Sequence, residues 1–167
     1  MHPIGTSEVA FDDLASFFKQ FDFTSDTSNI QQYVSLIQEV GFLRHNIIHE
    51  LYDLANDEVI GFTALSISNE VDDLPGVLVE FLYLKSKYRG KVDEFSNEKY
   101  SSIFLDYIIK LALDIQKKVA INHVYLVPIN EKVRKIYENY GFENLPSSGS
   151  NEYEDYMVFN LLEDTFL

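Results

Sequence analysis

Between positions 100 and 115 the apolar residues Tyr100, Ile103, Phe104, Tyr107, Ile108, Leu111, Ala112 and Ile115 recur at alternating steps of three and one. That spacing keeps one face of an α-helix apolar, and it constrains what can surround the helix. Upstream lies Val77–Leu84, a nearly continuous apolar run of the kind that a strand buried on both faces requires. Downstream, His123–Val127 is a short strand-like segment stopped by Pro128. A strand, a long helix and a second strand in that order imply a mixed sheet with helices covering both faces, an α/β (α+β) fold.

The rest of the chain adds to this core. Leu14, Phe17, Phe18 and Phe21 follow Asp12 and Asp13 at helical spacing, with the acidic pair where a helix start favours negative charge. Ser28 with Gln31 has the form of a capping box, and Ile30, Tyr33, Val34, Ile37 and Val40 extend a second helix until Gly41 can end it. Met1–Ala10 alternates only weakly and leaves open whether a strand precedes these helices. Ile47–Leu54 and Val59–Ile67 are rich in strand formers and are joined by the turn-forming pair Asn56-Asp57, so they predict a hairpin. Asn69–Gly76 and Pro146–Asn151 read as polar loops. Asn130 can cap a helix carrying Val133, Ile136, Tyr137 and Tyr140, Gly141 closes it, and Tyr153–Leu161 alternates as a last strand. With no repeat, low-complexity tract or linker, residues 1–167 predict a single domain.

A chain without cysteine has no thiol nucleophile, no thiolate zinc site and no disulfide. Its formal net charge of −14 repels phosphate backbones and anionic lipid, so neither nucleic acid nor a membrane surface is the expected partner, and a cationic amine is favoured. The same acidity also fits a protein whose charge serves only solubility. No apolar run approaches the roughly 18 residues of a membrane-spanning helix, and Met1–Gly5 lacks the basic flank of a signal peptide. The expected location is the cytoplasm. His45 and His49 stand four apart, but Ile47 and Ile48 between them favour strand and no carboxylate spacing completes a ligand set, so no metal is expected. Asp72-Asp73 and Glu163-Asp164 read as solvated loop charge.

The segments able to carry chemistry lie in the second half. Glu80 interrupts Leu78-Val79-Glu80-Phe81-Leu82, where a carboxylate is costly unless solvated or paired. After Leu84 comes a basic turn, Tyr88-Arg89-Gly90-Lys91, then the acidic stretch Val92–Glu98, and Lys99-Tyr100-Ser101-Ser102 opens the long helix. Further on, Asn130 is followed by Ile136-Tyr137-Glu138-Asn139-Tyr140-Gly141-Phe142. From about Glu58 to Phe159 this ordering resembles the GNAT superfamily of acyl-CoA-dependent N-acetyltransferases.

The resemblance implies a mixed, mostly antiparallel central sheet and acetyl-CoA as cosubstrate. It also implies acetyl transfer to a primary amine of a small molecule or protein by direct attack on the thioester, an acyltransferase reaction that needs no covalent enzyme intermediate. The family's Gln/Arg-x-x-Gly-x-Gly/Ala turn holds the CoA pyrophosphate on backbone amides and a helix N-terminus. It maps onto Arg89, Gly90 and Lys91, is interrupted by a seven-residue insertion at Val92–Glu98, and resumes at Lys99, Ser101 and Ser102. Lys99 then stands at the first small-residue position and Ser101 at the second. Main-chain groups of Leu82, Tyr83 and Leu84 map onto the positions that meet the pantetheine arm and thioester. Glu80 maps onto a general base, Tyr137 onto the tyrosine that donates to the departing sulfur, and Asn130 onto the asparagine near the CoA arm. Each residue has a structural alternative: a plain surface turn for Arg89–Lys91, a solvated or ion-paired Glu80, and a packed aromatic for Tyr137 beside Val133 and Tyr140. The altered turn also leaves open a second class, a catalytically inactive GNAT-like CoA-binding or protein-interaction module. A toxin acetylating aminoacyl-tRNA sits poorly with the charge of −14. A homodimer is compatible with all of these readings.

Overall fold

The computed structural model describes residues 4–69, 71, 74–145 and 155–162. Asp72-Asp73, the Pro146–Asn151 loop, the Tyr153 end of the last strand and Glu163-Asp164 lie outside the described residues. Those described form strands β1 (Ile4–Glu8), β2 (Ile47–Asp53), β3 (Glu58–Ser68), β4 (Gly76–Leu84), β5 (His123–Leu126), β6 (Glu143–Asn144) and β7 (Met157–Asn160). The helices are α1 (Leu14–Phe18), α2 (Ser28–Phe42), α3 (Tyr100–Gln116) and α4 (Glu131–Tyr140). Strand order is β1-β2-β3-β4-β5-β7-β6. β4 and β5 run parallel, whereas β1/β2, β2/β3, β5/β7 and β6/β7 are antiparallel, which is the mixed, mostly antiparallel sheet expected. Among the described residues no helix is long and apolar enough to cross a membrane.

The chain divides into two compact units, Met1–Ser66 with Glu80–Phe104, and Ile67–Val79 with Leu105–Leu167. In the first, the predicted hairpin forms with Ile47 opposite Leu65, and Asp57 at its turn adopts φ 52. The Asp53 carboxylate accepts from the amides of Ala55 (2.9 Å) and Asn56 (3.1 Å), which fixes that turn. The core gathers on Phe62, whose ring lies 5.3 Å from Phe18, 5.2 Å from Phe21 and 5.5 Å from Tyr83. The pairs with Phe18 and Phe21 are edge-to-face and the pair with Tyr83 is stacked, and such pairs stabilise beyond the area they bury.

One open question of this unit is settled and two readings change. β1 exists, paired with β2 from Ile4 opposite Asp53 to Glu8 opposite His49. It is an edge strand with no fully buried residue, so its sequence carries little alternation. Thr27, not Ser28, caps α2, its Oγ1 accepting from Ile30 N at 3.4 Å. Gly41 does not end α2, which continues to Phe42.

In the second unit the first four residues of β4 pair in parallel with β5, Gly76 opposite His123 through Val79 opposite Leu126. β7 closes the other side of β5; Phe142, Met157 and Leu126 are buried, and so are Ile108 and Ala112 of α3, as the helical stripe predicts. β6, two residues long, is too short to leave a periodic signal in the sequence.

Candidate active site

The first unit carries the strand end and the turn. β4's ladder with β5 stops at Val79, so among the described residues Glu80–Leu84 have no such partner, while Lys85 N donates to Ile60 O of β3 at 2.9 Å. Unpaired backbone donors and acceptors on a strand edge can take an extended ligand as an added strand would be taken. Leu82, Tyr83 and Leu84 lie in this stretch. The Tyr83 side chain turns to the core, its hydroxyl donating to Asp26 Oδ2 at 2.7 Å, and burial together with that carboxylate raises its pKa.

After β4, Arg89 is held from both sides. Its Nε donates to Leu84 O (2.7 Å), its Nη2 donates to Asp26 Oδ1 (2.8 Å), and the guanidinium lies 5.0 Å from the centre of the Tyr83 ring. The sequence points to Arg89 as a phosphate ligand; two of its five N–H donors are committed to the protein, where they brace the turn against the loop that precedes α2. Gly90 follows with φ 71. Lys91 and Lys99 are exposed and, among the described residues, make no ion pair.

The insertion is closed at its base. Asp93 N donates to Glu98 O at 2.8 Å and Tyr100 N to Lys91 O at 3.3 Å, which makes a bridge of Val92 and Lys99. Inside the loop, Asp93 is buried and its Oδ2 accepts from Ser96 N (2.8 Å) and Ser96 Oγ (2.9 Å). One of the three acidic side chains is therefore turned inward, leaving Glu94 and Glu98 exposed. α3 starts directly beyond the bridge. Its first intrahelical acceptor, Lys99 O, receives Ile103 N at 3.0 Å, and among the described residues the amides of Ser101 and Ser102 have no partner. Free amides at the start of a 17-residue helix are the arrangement that binds an anion.

Glu80 is half-buried, and Asn46 Nδ2 donates to its Oε2 at 2.9 Å. Among the described residues it makes no ion pair.

The second unit carries Asn130 and Tyr137. Asn130 caps α4 as its sequence position predicts, Oδ1 accepting from Val133 N at 3.0 Å. At the other end, Phe142 N donates to Tyr137 O (3.0 Å) and Gly141 N to Glu138 O (3.1 Å), the hydrogen-bond pair of a Schellman cap. Gly141 takes φ 121, which a side chain would resist. The hydrophobic contact that accompanies such a cap is Tyr137 against Phe142, with ring centroids 5.8 Å apart. Tyr137 is 9% exposed, and burial pushes its phenol up to about 12. Among the described residues its hydroxyl has no hydrogen-bond partner. The raised value keeps it a protonated donor at neutral pH.

His49 is buried in β2, with its pKa lowered by burial, and His45 is an exposed residue before that strand. The sequence reading gives no role to Asp26 or Asn46. Both lie outside any periodic element, so no spacing marks them.

Fold and strand order define the class: the chain has the GNAT acetyltransferase fold. AtaTR bound with acetyl-CoA superposes with a TM-score of 0.73 at 16% identity, covering 98% of this chain and 96% of that one. A tyrosine-to-phenylalanine mutant of KacT gives 0.71 at 12% identity, covering 97% of each chain. AtaT complexed with acetyl-methionyl-tRNAfMet gives 0.68 at 14% identity, covering 96% of each. No protein-family model matches the chain, and no curated protein matches it.

Proposed function

We propose that the chain is an acetyl-CoA-dependent N-acetyltransferase that acylates a primary amine. The observation that carries this reading is the start of α3, where, among the described residues, the Ser101 and Ser102 amides have no partner and follow two cations, Lys91 and Lys99, that make no ion pair. An anion of pyrophosphate type meets amide donors, a helix dipole and mobile positive charge there. Acetyl-CoA supplies an activated acetyl group on a thioester. The β4 edge from Leu82 to Leu84 offers main-chain groups to the arm, and an amide there stabilises negative charge on the thioester oxygen. Glu80 takes a proton from the incoming ammonium, freeing the lone pair that forms the C–N bond. As the C–S bond breaks, Tyr137 gives its proton to the departing sulfur, and the proton left on nitrogen restores the phenol directly or through solvent.

The net charge of −14 favours a cationic acceptor, free or on a protein. A second acceptor, the amino group of an aminoacyl-tRNA, is drawn in by the likeness to AtaT with acetyl-methionyl-tRNAfMet. The test is thiol release from acetyl-CoA with polyamines, aminoglycosides, lysine peptides and methionyl-tRNA, preceded by calorimetric titration of acetyl-CoA. Release with small cationic amines supports the first acceptor class, and release confined to the charged tRNA replaces it. Tight binding with no release for any amine favours an inactive CoA-binding module.

A further inference from the structure

Asn46 is 6% exposed, yet its two amide atoms are treated unequally. Nδ2 donates to Glu80 Oε2 at 2.9 Å, whereas Oδ1 is buried and, among the described residues, has no hydrogen-bond partner. A buried acceptor left unsatisfied is destabilising, and a leucine of similar volume would not incur that cost. α2 is fitted to the arrangement: a Cβ on Gly41 would come within 3.3 Å of Asn46 Oδ1, so a glycine inside the helix makes room for the amide. A residue kept for packing would satisfy both ends or neither. Asn46 satisfies only the end aimed at Glu80.

We propose that Asn46 is a positioning residue for acyl transfer, its Nδ2 holding Glu80 Oε2 so that Oε1 is directed to accept the proton of the acceptor amine. The inference rests on the reading of Glu80 as the base. It assigns no contact between Asn46 and the reacting atoms. The Glu80 carboxylate is bonded to Asn46 and, among the described residues, to no cation, so this one hydrogen bond sets which oxygen remains open.

The experiment compares thiol-release kinetics against pH for the parent, Asn46→Leu, Asn46→Ala, Glu80→Gln and the Asn46→Ala/Glu80→Gln double variant, with Tm measured for each. Asn46→Leu is expected to melt no lower than the parent while kcat near pH 7 falls by up to about a hundredfold, the scale of loss when a catalytic group is misplaced. KM for acetyl-CoA should stay unchanged. The loss should shrink as pH approaches the amine's pKa, as it should for Glu80→Gln, because free base then needs no help. The double variant should be no slower than Glu80→Gln alone. If Asn46→Leu does not fold, Asn46→Ala carries the same kinetic test. A lowered Tm with unchanged kcat, a loss equal at all pH values, or an Asn46 effect that multiplies with that of Glu80→Gln overturns the inference. Full activity of Glu80→Gln at every pH overturns the reading beneath it, a result separable from an impaired Glu80→Gln beside a normal Asn46→Leu.

Discussion

The end of α4 and the turn between β4 and α3 both place groups for the proposed chemistry, by opposite means. At α4 everything is local: five residues after Tyr137, Phe142 returns to its carbonyl and to its ring, and Gly141 makes the reversal. At the turn the fixing contacts come from far along the chain, since Asp26 holds both Arg89 and Tyr83. A seven-residue insertion then separates the two halves of what would otherwise be one continuous motif. Local geometry survives as a readable string of letters, whereas geometry held by distant partners can absorb insertions and loses its signature.

The largest single effect is expected at α4. Tyr137→Phe should lower kcat by about a hundredfold to ten-thousandfold with acetyl-CoA affinity unchanged, which steady-state kinetics and calorimetry check together. The loss should be flat across ordinary pH, because the phenol stays protonated up to about 12. The sign for stability follows from the same shift. A folded-state pKa raised above the unfolded value of about 10 leaves stability whole below pH ~10 and erodes it as pH climbs towards ~12. In the Phe variant that part of the alkaline decline should vanish in pH-dependent melting.

Gly141→Ala tests whether the cap is what holds Tyr137. A side chain at φ 121, with Phe159 only 3.3 Å from the new Cβ, should cost about 1–3 kcal/mol in urea unfolding, and kcat should fall with it. The turn should answer differently. Lys99→Ala should weaken acetyl-CoA binding by about 1–3 kcal/mol with no loss of Tm, and raising salt should weaken the parent similarly. Pantetheine fragments lacking the pyrophosphate should respond to neither change. The smallest effect is expected at the start of α4, where Asn130→Ala removes one cap and lowers stability by about 1 kcal/mol in thermal melts.

The sequence made the central elements legible because their periods are strong: α3, the β2-β3 hairpin, β4 and the Asn130 cap all stand where spacing puts them. β1 and β6 were not legible, the first because an edge strand has little to bury and the second because two residues have no period. Gly41 reads as a helix end because glycine usually marks one, but here it answers to a side chain five positions on. Tyr137 stood out through its Gly141-Phe142 neighbours. Arg89 stood out as well, yet the carboxylate that occupies it lies 63 residues away, a separation that no pattern in one sequence encodes. Asn46 offered no signal at all, since its significance lies in which of two atoms goes unsatisfied.

The bridge between Val92 and Lys99 has a practical consequence. Because the loop is pinched shut at its base, residues 93–98 form a ring suspended from a fixed two-residue neck. What the helix start feels is the neck and not the circumference. Doubling a loop's length adds only about 0.6 kcal/mol of closure entropy, so the ring can be resized, labelled or exchanged for a foreign epitope while the amides of Ser101 and Ser102 keep their places. Phe95, 74% exposed at the rim, is the position at which such a graft would disturb the protein least.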